Sequence, residues 1–147
     1  MNRFPIAGSA LISTLFTCAL FSQATVQEEI ADQAIEKGRY LAFGVAMCVD
    51  CHTPKMSNDL LDSTRLLMGT EIRTTPLEPV ADWAAYAPAI AGLPNYSVDE
   101  VVEVLTTGTI GNTYLRPPMP VYRMNEEDAR AIALYLKSLA PGQEELN

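Results

Sequence analysis

The chain has one histidine and three cysteines in 147 residues, and ten lysines and arginines against eighteen aspartates and glutamates. Each shortage excludes something. A single imidazole rules out any site assembled from several histidines. A net charge of −8 disfavours nucleic acid and anionic lipid as partners, and an electrostatically docked protein should instead present a basic surface. Internal repeats, low-complexity tracts and alternating strand-like patterns are also missing, which leaves helices as the main elements.

Long apolar runs are scarce too. The notable one is Ala10 to Phe21 (ALISTLFTCALF), preceded by Arg3 and followed by Ser22-Gln23-Ala24, a small-x-small pattern suited to signal peptidase. It is too short to span a bilayer, and no second apolar run follows. Residues 1–24 are therefore expected to be a cleaved secretory signal, with 25–147 the exported domain. Two alternatives are an uncleaved leader acting as a membrane anchor and Cys18 as a lipid-bearing cysteine. Thr17 is a poor residue to precede a lipidated cysteine, and the apolar run continues past Cys18.

What the chain does possess is concentrated. With Cys18 in the leader, both remaining cysteines and the only histidine fall within AMCVDCHTPK, Ala46 to Lys55. Upstream, Ile30, Ala34, Leu41, Val45 and Cys48 recur as one helix face would, predicting a helix from Glu28 to Cys51. Gly38 and Gly44 inside it should admit another backbone, with the Ile132/Leu136 face of the last helix as the expected contact. Residues 53–95 are rich in proline and turn residues. Only short helical pieces are expected there, around Leu60–Leu67 and Asp82–Tyr86, and a loop that long should wrap something.

Ser97 and Glu100 form a capping box for a helix whose apolar face is Val98, Val101, Val102 and Leu105, closed by Gly108. A second loop, TIGNTYLRPPMPVYRM, precedes a helix beginning after Asn125. Acidic residues fill that helix's first turn, Ala129, Ile132, Leu136 and Leu139 form its buried stripe, and Pro141-Gly142 stops it. The expected architecture is all-α, a bundle of three to five helices with long loops.

Cys-x-x-Cys-His admits three readings. Zinc needs about four ligands, and after processing the chain offers two thiols and one imidazole, with no helix-spaced carboxylate pair beside them. A dithiol redox site would follow a strand in a βαβ pattern, whereas a helix precedes this one. Covalent haem attachment uses the motif as it stands. Cys48, Cys51 and His52 fall at i, i+3 and i+4 on one helical face, so both thiols can bond the vinyl groups while the imidazole lies under the iron.

The segments KGRYLAFGVAMCVDCHTP, PPMP and NEEDARAIALYLKSL, which bracket residues 37–139, resemble class I mono-haem cytochromes c of the bacterial periplasmic kind. The resemblance implies a cytochrome c-like fold wrapped around one covalently attached haem c, and a one-electron carrier rather than an enzyme. It implies partners such as a periplasmic or membrane dehydrogenase or a quinol-oxidising complex, with this chain as a free carrier or a subunit. Met47, Met56, Met68, Met119 and Met124 are the candidate sixth ligands. The family's ligand methionine sits in a loop shortly before the last helix, as Met119 does between prolines that fix φ. Met124 is the second candidate, and Met119 as core filler is the plain alternative.

An open distal site would instead make a gas- or peroxide-binding haem protein. Trp83 and Arg116 are candidate partners for a haem propionate, though a core aromatic and a solvated loop charge describe them equally well. Tyr40 and Tyr135 are expected between the end helices. The family often orients the histidine through a proline carbonyl downstream; here 66–69 holds no proline.

Overall fold

The structure, a computed structural model, describes the backbone of residues 13–139 and the side chains of 26–139. The chain divides into two compact units, Met1–Gln33 and Ala34–Asn147. The first twelve positions of the expected leader and the Pro141-Gly142 stop lie outside the described residues. From Ser13 the chain is helical, and no helix among the described residues is long and apolar enough to cross a membrane.

Among the described residues, four α-helices, α1 (Ser13–Tyr40), α2 (Cys48–His52), α3 (Val98–Thr107) and α4 (Glu126–Ser138), carry most of the regular structure. Two ribbons of two-residue antiparallel strands join them. In one, β1 (Thr70–Glu71) pairs with β2 (Tyr86–Ala87), with Thr70 opposite Ala87; in the other, β3 (Thr109–Ile110) pairs with β4 (Thr113–Tyr114). The fold is mainly helical but carries strands where none was expected.

The helix expected over 28–51 is not continuous. After Tyr40 the backbone loosens into a π-helical turn, Leu41–Val45, and Met47 adopts a left-handed conformation (φ 49°) that ends it before α2 begins. The expected face holds only in part, with Cys48 buried and Ala34 and Leu41 half-buried. Ile30 and Val45 are exposed, whereas Ala42, Ala46 and Val49 are buried. A break at 47 re-aims the next turn, so periodicity drawn across it mixes two helices.

Both later helices form where their caps say. Ser97 and Glu100 make the reciprocal capping box and Gly108 closes α3 at φ +80°. The Asn125 side chain accepts from the Asp128 N–H at the start of α4. These two helices form the largest helix–helix contact, burying Val102, Val104 and Leu105 with Ala129, Ile132, Ala133 and Leu136. Burial of such side chains stabilises by about 1.5–3 kcal/mol each.

Within the second unit, the end of α1 crosses α4 at Gly38. A Cβ there would meet the Ala131 carbonyl group and lie 2.7 Å from Tyr135 Cβ. The contact face is thus Ala131/Tyr135, one position off the expected Ile132/Leu136. Gly44 meets only the Tyr40 ring, at 3.6 Å. Lys37 locks the crossing through Glu127 and Asp128, both at 2.7 Å. Tyr135 is buried edge-on to Phe43, but Tyr40 is exposed rather than packed between the helices.

Residues 53–95 contain a 3-10 turn, Ser63–Arg65, near the first helical piece expected there. The second, 82–86, is not helical and leads into β2. The loop is fixed from within: Gly69 N–H donates to the His52 carbonyl (2.7 Å), and Leu67 N–H to the buried Thr53 hydroxyl (3.0 Å).

Candidate functional site

α2 is a single helical turn, and its shape follows from its spacing. Cys48, Cys51 and His52 share one side of it, and all three line a cavity of about 330 Å³. Cys48 is buried and Cys51 exposed, each as a free thiol. Burial pushes the Cys48 thiol up to about 11, with the backbone hydrogen bond opposing that shift.

His52 is 7% exposed, and burial holds its pKa below the ordinary 6.5. Its Nδ1 lies 2.8 Å from the Pro88 carbonyl. A carbonyl can only accept, so Nδ1 carries the proton and Nε2 keeps its lone pair, the form a metal binds. The missing acceptor is therefore a proline after all, but one 36 residues downstream. Gly69 makes this reach feasible. At φ +80° it lets the strand end pass so closely that a Cβ would sit 2.7 Å from Ala89 N and 2.9 Å from Ala87 O. Neither Gly69 nor Pro88 was singled out from sequence; a glycine before one two-residue strand and a proline just after its mate were the only signals.

The other walls are mainly apolar: Ile72, Ile90, Val104, Leu105, Ile132 and Leu136 are among them. Met119 also lines the cavity, whereas Met47, Met56, Met68 and Met124 do not. Met47 and Met56 are exposed, and Met68 and Met124 pack against the core. Met119 N–H donates to Arg116 O (3.2 Å) across a turn whose Pro117–Pro118 bond is cis. The structure thus brings Cys48, Cys51, His52 and Met119 to one space.

Trp83 and Arg116 have other engagements. The indole Nε1 donates to the Thr74 carbonyl (3.0 Å), so its one N–H is already used, and Trp83 does not line the cavity. Arg116 does line it, but Nε and Nη2 donate to the carbonyls of Asp82 (3.0 Å) and Trp83 (3.2 Å). Tyr122, unnoticed in the sequence, donates its hydroxyl to the Ala46 carbonyl (2.5 Å). Desolvation and the nearby Cys48 and Cys51 raise it to about 12.

Two thiols and an imidazole on one turn, a thioether lining the same largely apolar space, and no cluster of three or more metal-ligating His, Cys, Asp or Glu among the described residues fit a haem better than a bare ion. No family model matches the chain. It is similar to the diheme cytochrome c-type protein of Cereibacter sphaeroides, 30% identical over 109 residues, covering 69% of this chain and 34% of that protein. It is likewise similar to the cytochrome c subunit of the quinone alcohol dehydrogenase of Gluconacetobacter polyoxogenes, 30% identical over 122 residues, 75% of this chain and 25% of the relative. The corresponding subunit from Gluconobacter oxydans is 27% identical over 125 residues, 78% and 26%. The chain spans about a third of the first relative's length and about a quarter of the others'. These likenesses support a c-type cytochrome.

Proposed function

We propose that the chain is an exported, periplasmic mono-haem cytochrome c that passes single electrons between a dehydrogenase or quinol-oxidising complex and a downstream acceptor. Cys48 and Cys51 would hold the haem by thioether bonds, and His52 Nε2 and the Met119 sulfur would ligate its iron. The observation that carries this reading is the meeting of those four side chains at one apolar cavity.

Haem supplies a reversible one-electron iron couple. The chain's own residues do the rest. Pro88 fixes the imidazole's orientation and tautomer. The apolar walls exclude water, and a thioether ligand in such surroundings favours ferrous iron and a raised potential. With His52 and Met119 both committed to the iron, the chain would leave no ligand position for a substrate. The exposed Cys51 edge is the natural exit for the electron.

One haem is proposed because this chain has one histidine and one Cys-x-x-Cys-His motif, whereas a relative is named diheme. The cytochrome subunits of quinone alcohol dehydrogenases among the relatives support a place beside a dehydrogenase, and the acidic chain suits a basic docking surface.

A pyridine haemochrome spectrum of the purified reduced protein, with denaturing-gel haem stain, tests the assignment. Wild type should show one c-type haem per chain, and Cys48→Ala with Cys51→Ala none. Stain persisting in the double variant would sink it. Absence of a far-red iron–sulfur band, with CO binding the untreated ferrous protein, would favour the gas- or peroxide-binding alternative.

A further inference from the structure

The loop carrying Met119 is tied three residues before the methionine and three residues after it. On the near side, Arg116 Nε and Nη2 donate to the Asp82 and Trp83 carbonyls at 3.0 and 3.2 Å. Ala84 N–H returns a bond to the Pro117 carbonyl at 2.7 Å. On the far side, the Tyr122 hydroxyl donates to the Ala46 carbonyl, two residues before Cys48. The anchors belong to the two segments that frame the histidine: 82–84 runs into β2 and Pro88, and Ala46 leads into α2. Both side chains thus direct donors at main chain, fixing a backbone path rather than filling space.

We infer that Arg116 and Tyr122 are positioning residues that clamp the Met119 loop and set how readily Met119 yields its place to a competing ligand. This rests on Met119 as the sixth ligand. A tied loop gains few conformations when its methionine lets go, so displacement earns little entropy; an untied loop gains many. Cutting a tie should thus strengthen an exogenous ligand's apparent affinity while leaving the resting site intact. Lost hydrogen bonds of this kind correspond to about three- to tenfold each.

The experiment titrates full-length ferric holoprotein with imidazole and follows loss of the far-red band. Arg116→Lys removes the fork but keeps the charge, and Tyr122→Phe removes only the hydroxyl. Both should keep the band without imidazole, and bind imidazole about tenfold and about threefold more tightly than wild type. The double variant should multiply the two effects, because the ties sit on opposite sides of the methionine. Val102→Ala, in the core but not at the cavity, should lower thermal stability without moving imidazole affinity.

Wild-type affinity in both clamp variants, or an equal gain in Val102→Ala, overturns the clamp and leaves Met119 as ligand. A band missing from wild type, or surviving in Met119→Ala, overturns the ligand reading and the clamp with it. Should Arg116→Lys fail to retain haem, Tyr122→Phe decides by the same criterion.

Discussion

Gly38→Ala is the most direct probe of how the end of α1 meets α4. Two effects of opposite sign compete. Alanine in a helix interior is favoured over glycine by about 1 kcal/mol. Against this, the new Cβ would stand 2.5 Å from the Ala131 carbonyl carbon and 2.7 Å from Tyr135 Cβ. The first is backbone and cannot swing aside, so relief means separating the helices, which strains the Lys37 contacts to Glu127 and Asp128. Overpacking of this severity belongs at the upper end of the usual range, about 2–3 kcal/mol. The net loss is then about 1–2 kcal/mol, or a melting temperature lower by about 4–16 °C for a domain near 100 residues. Gly44→Ala is the matched control. Its Cβ meets only a tyrosine ring at ordinary contact distance, so stability should stay level or rise. Thermal unfolding of the holoproteins followed by circular dichroism separates the two. Equal melting temperatures for Gly38→Ala and wild type would show that the helices do not cross as described.

Gly69→Ala should cost at least about 2 kcal/mol, from a left-handed backbone made unfavourable and from crowding against Ala87 and Ala89. It should also shift the midpoint potential by disturbing the Pro88 acceptor, and an unchanged potential would detach Gly69 from the histidine. Met119→Ala should lower the midpoint potential, abolish the far-red ferric band and let CO bind the ferrous form, while Met124→Ala leaves all three alone; exchanged behaviours would make Met124 the ligand. Asp128 is held below its ordinary 3.8 first by the Lys37 hydrogen bond and then by Asn125. The unfolded chain therefore binds that proton more readily, so the contribution is complete above about pH 4 and fades as pH falls through the lowered value. Asp128→Asn should flatten this part of the acid-unfolding profile, and an unaltered profile would discount the pairing.

The legible parts of the chain were the local ones. The α3 capping box, its glycine stop and the Asn125 cap of α4 each involve residues three or four apart, so sequence alone contains the interaction. The Cys48–His52 turn is of the same kind. Met47 was opaque because nothing in a methionine announces a left-handed backbone, and the periodicity drawn through it placed Ile30 and Val45 inside when they lie outside. The β1–β2 ribbon was opaque for a different reason. Strands of two residues have no pattern to read, and their pairing joins Thr70 to Ala87 across an intervening loop. Trp83 and Arg116 were assigned by what their donors could do; their actual acceptors are main-chain carbonyls that carry no sequence signature.

The proline that orients His52 separates two events in the life of the site. Everything the proposed haem attachment needs lies within five consecutive residues, Cys48–His52, and is complete even in an extended chain. The imidazole's second contact closes a loop of 36 residues, whose ordering entropy is met only when the ribbon and its loop fold. Attachment therefore has no need to wait for the fold, whereas a fixed imidazole does. On the proposed reading, a chain with its cofactor attached but its ribbon unformed would leave the imidazole turning freely, so that folding, rather than attachment, would tune the site.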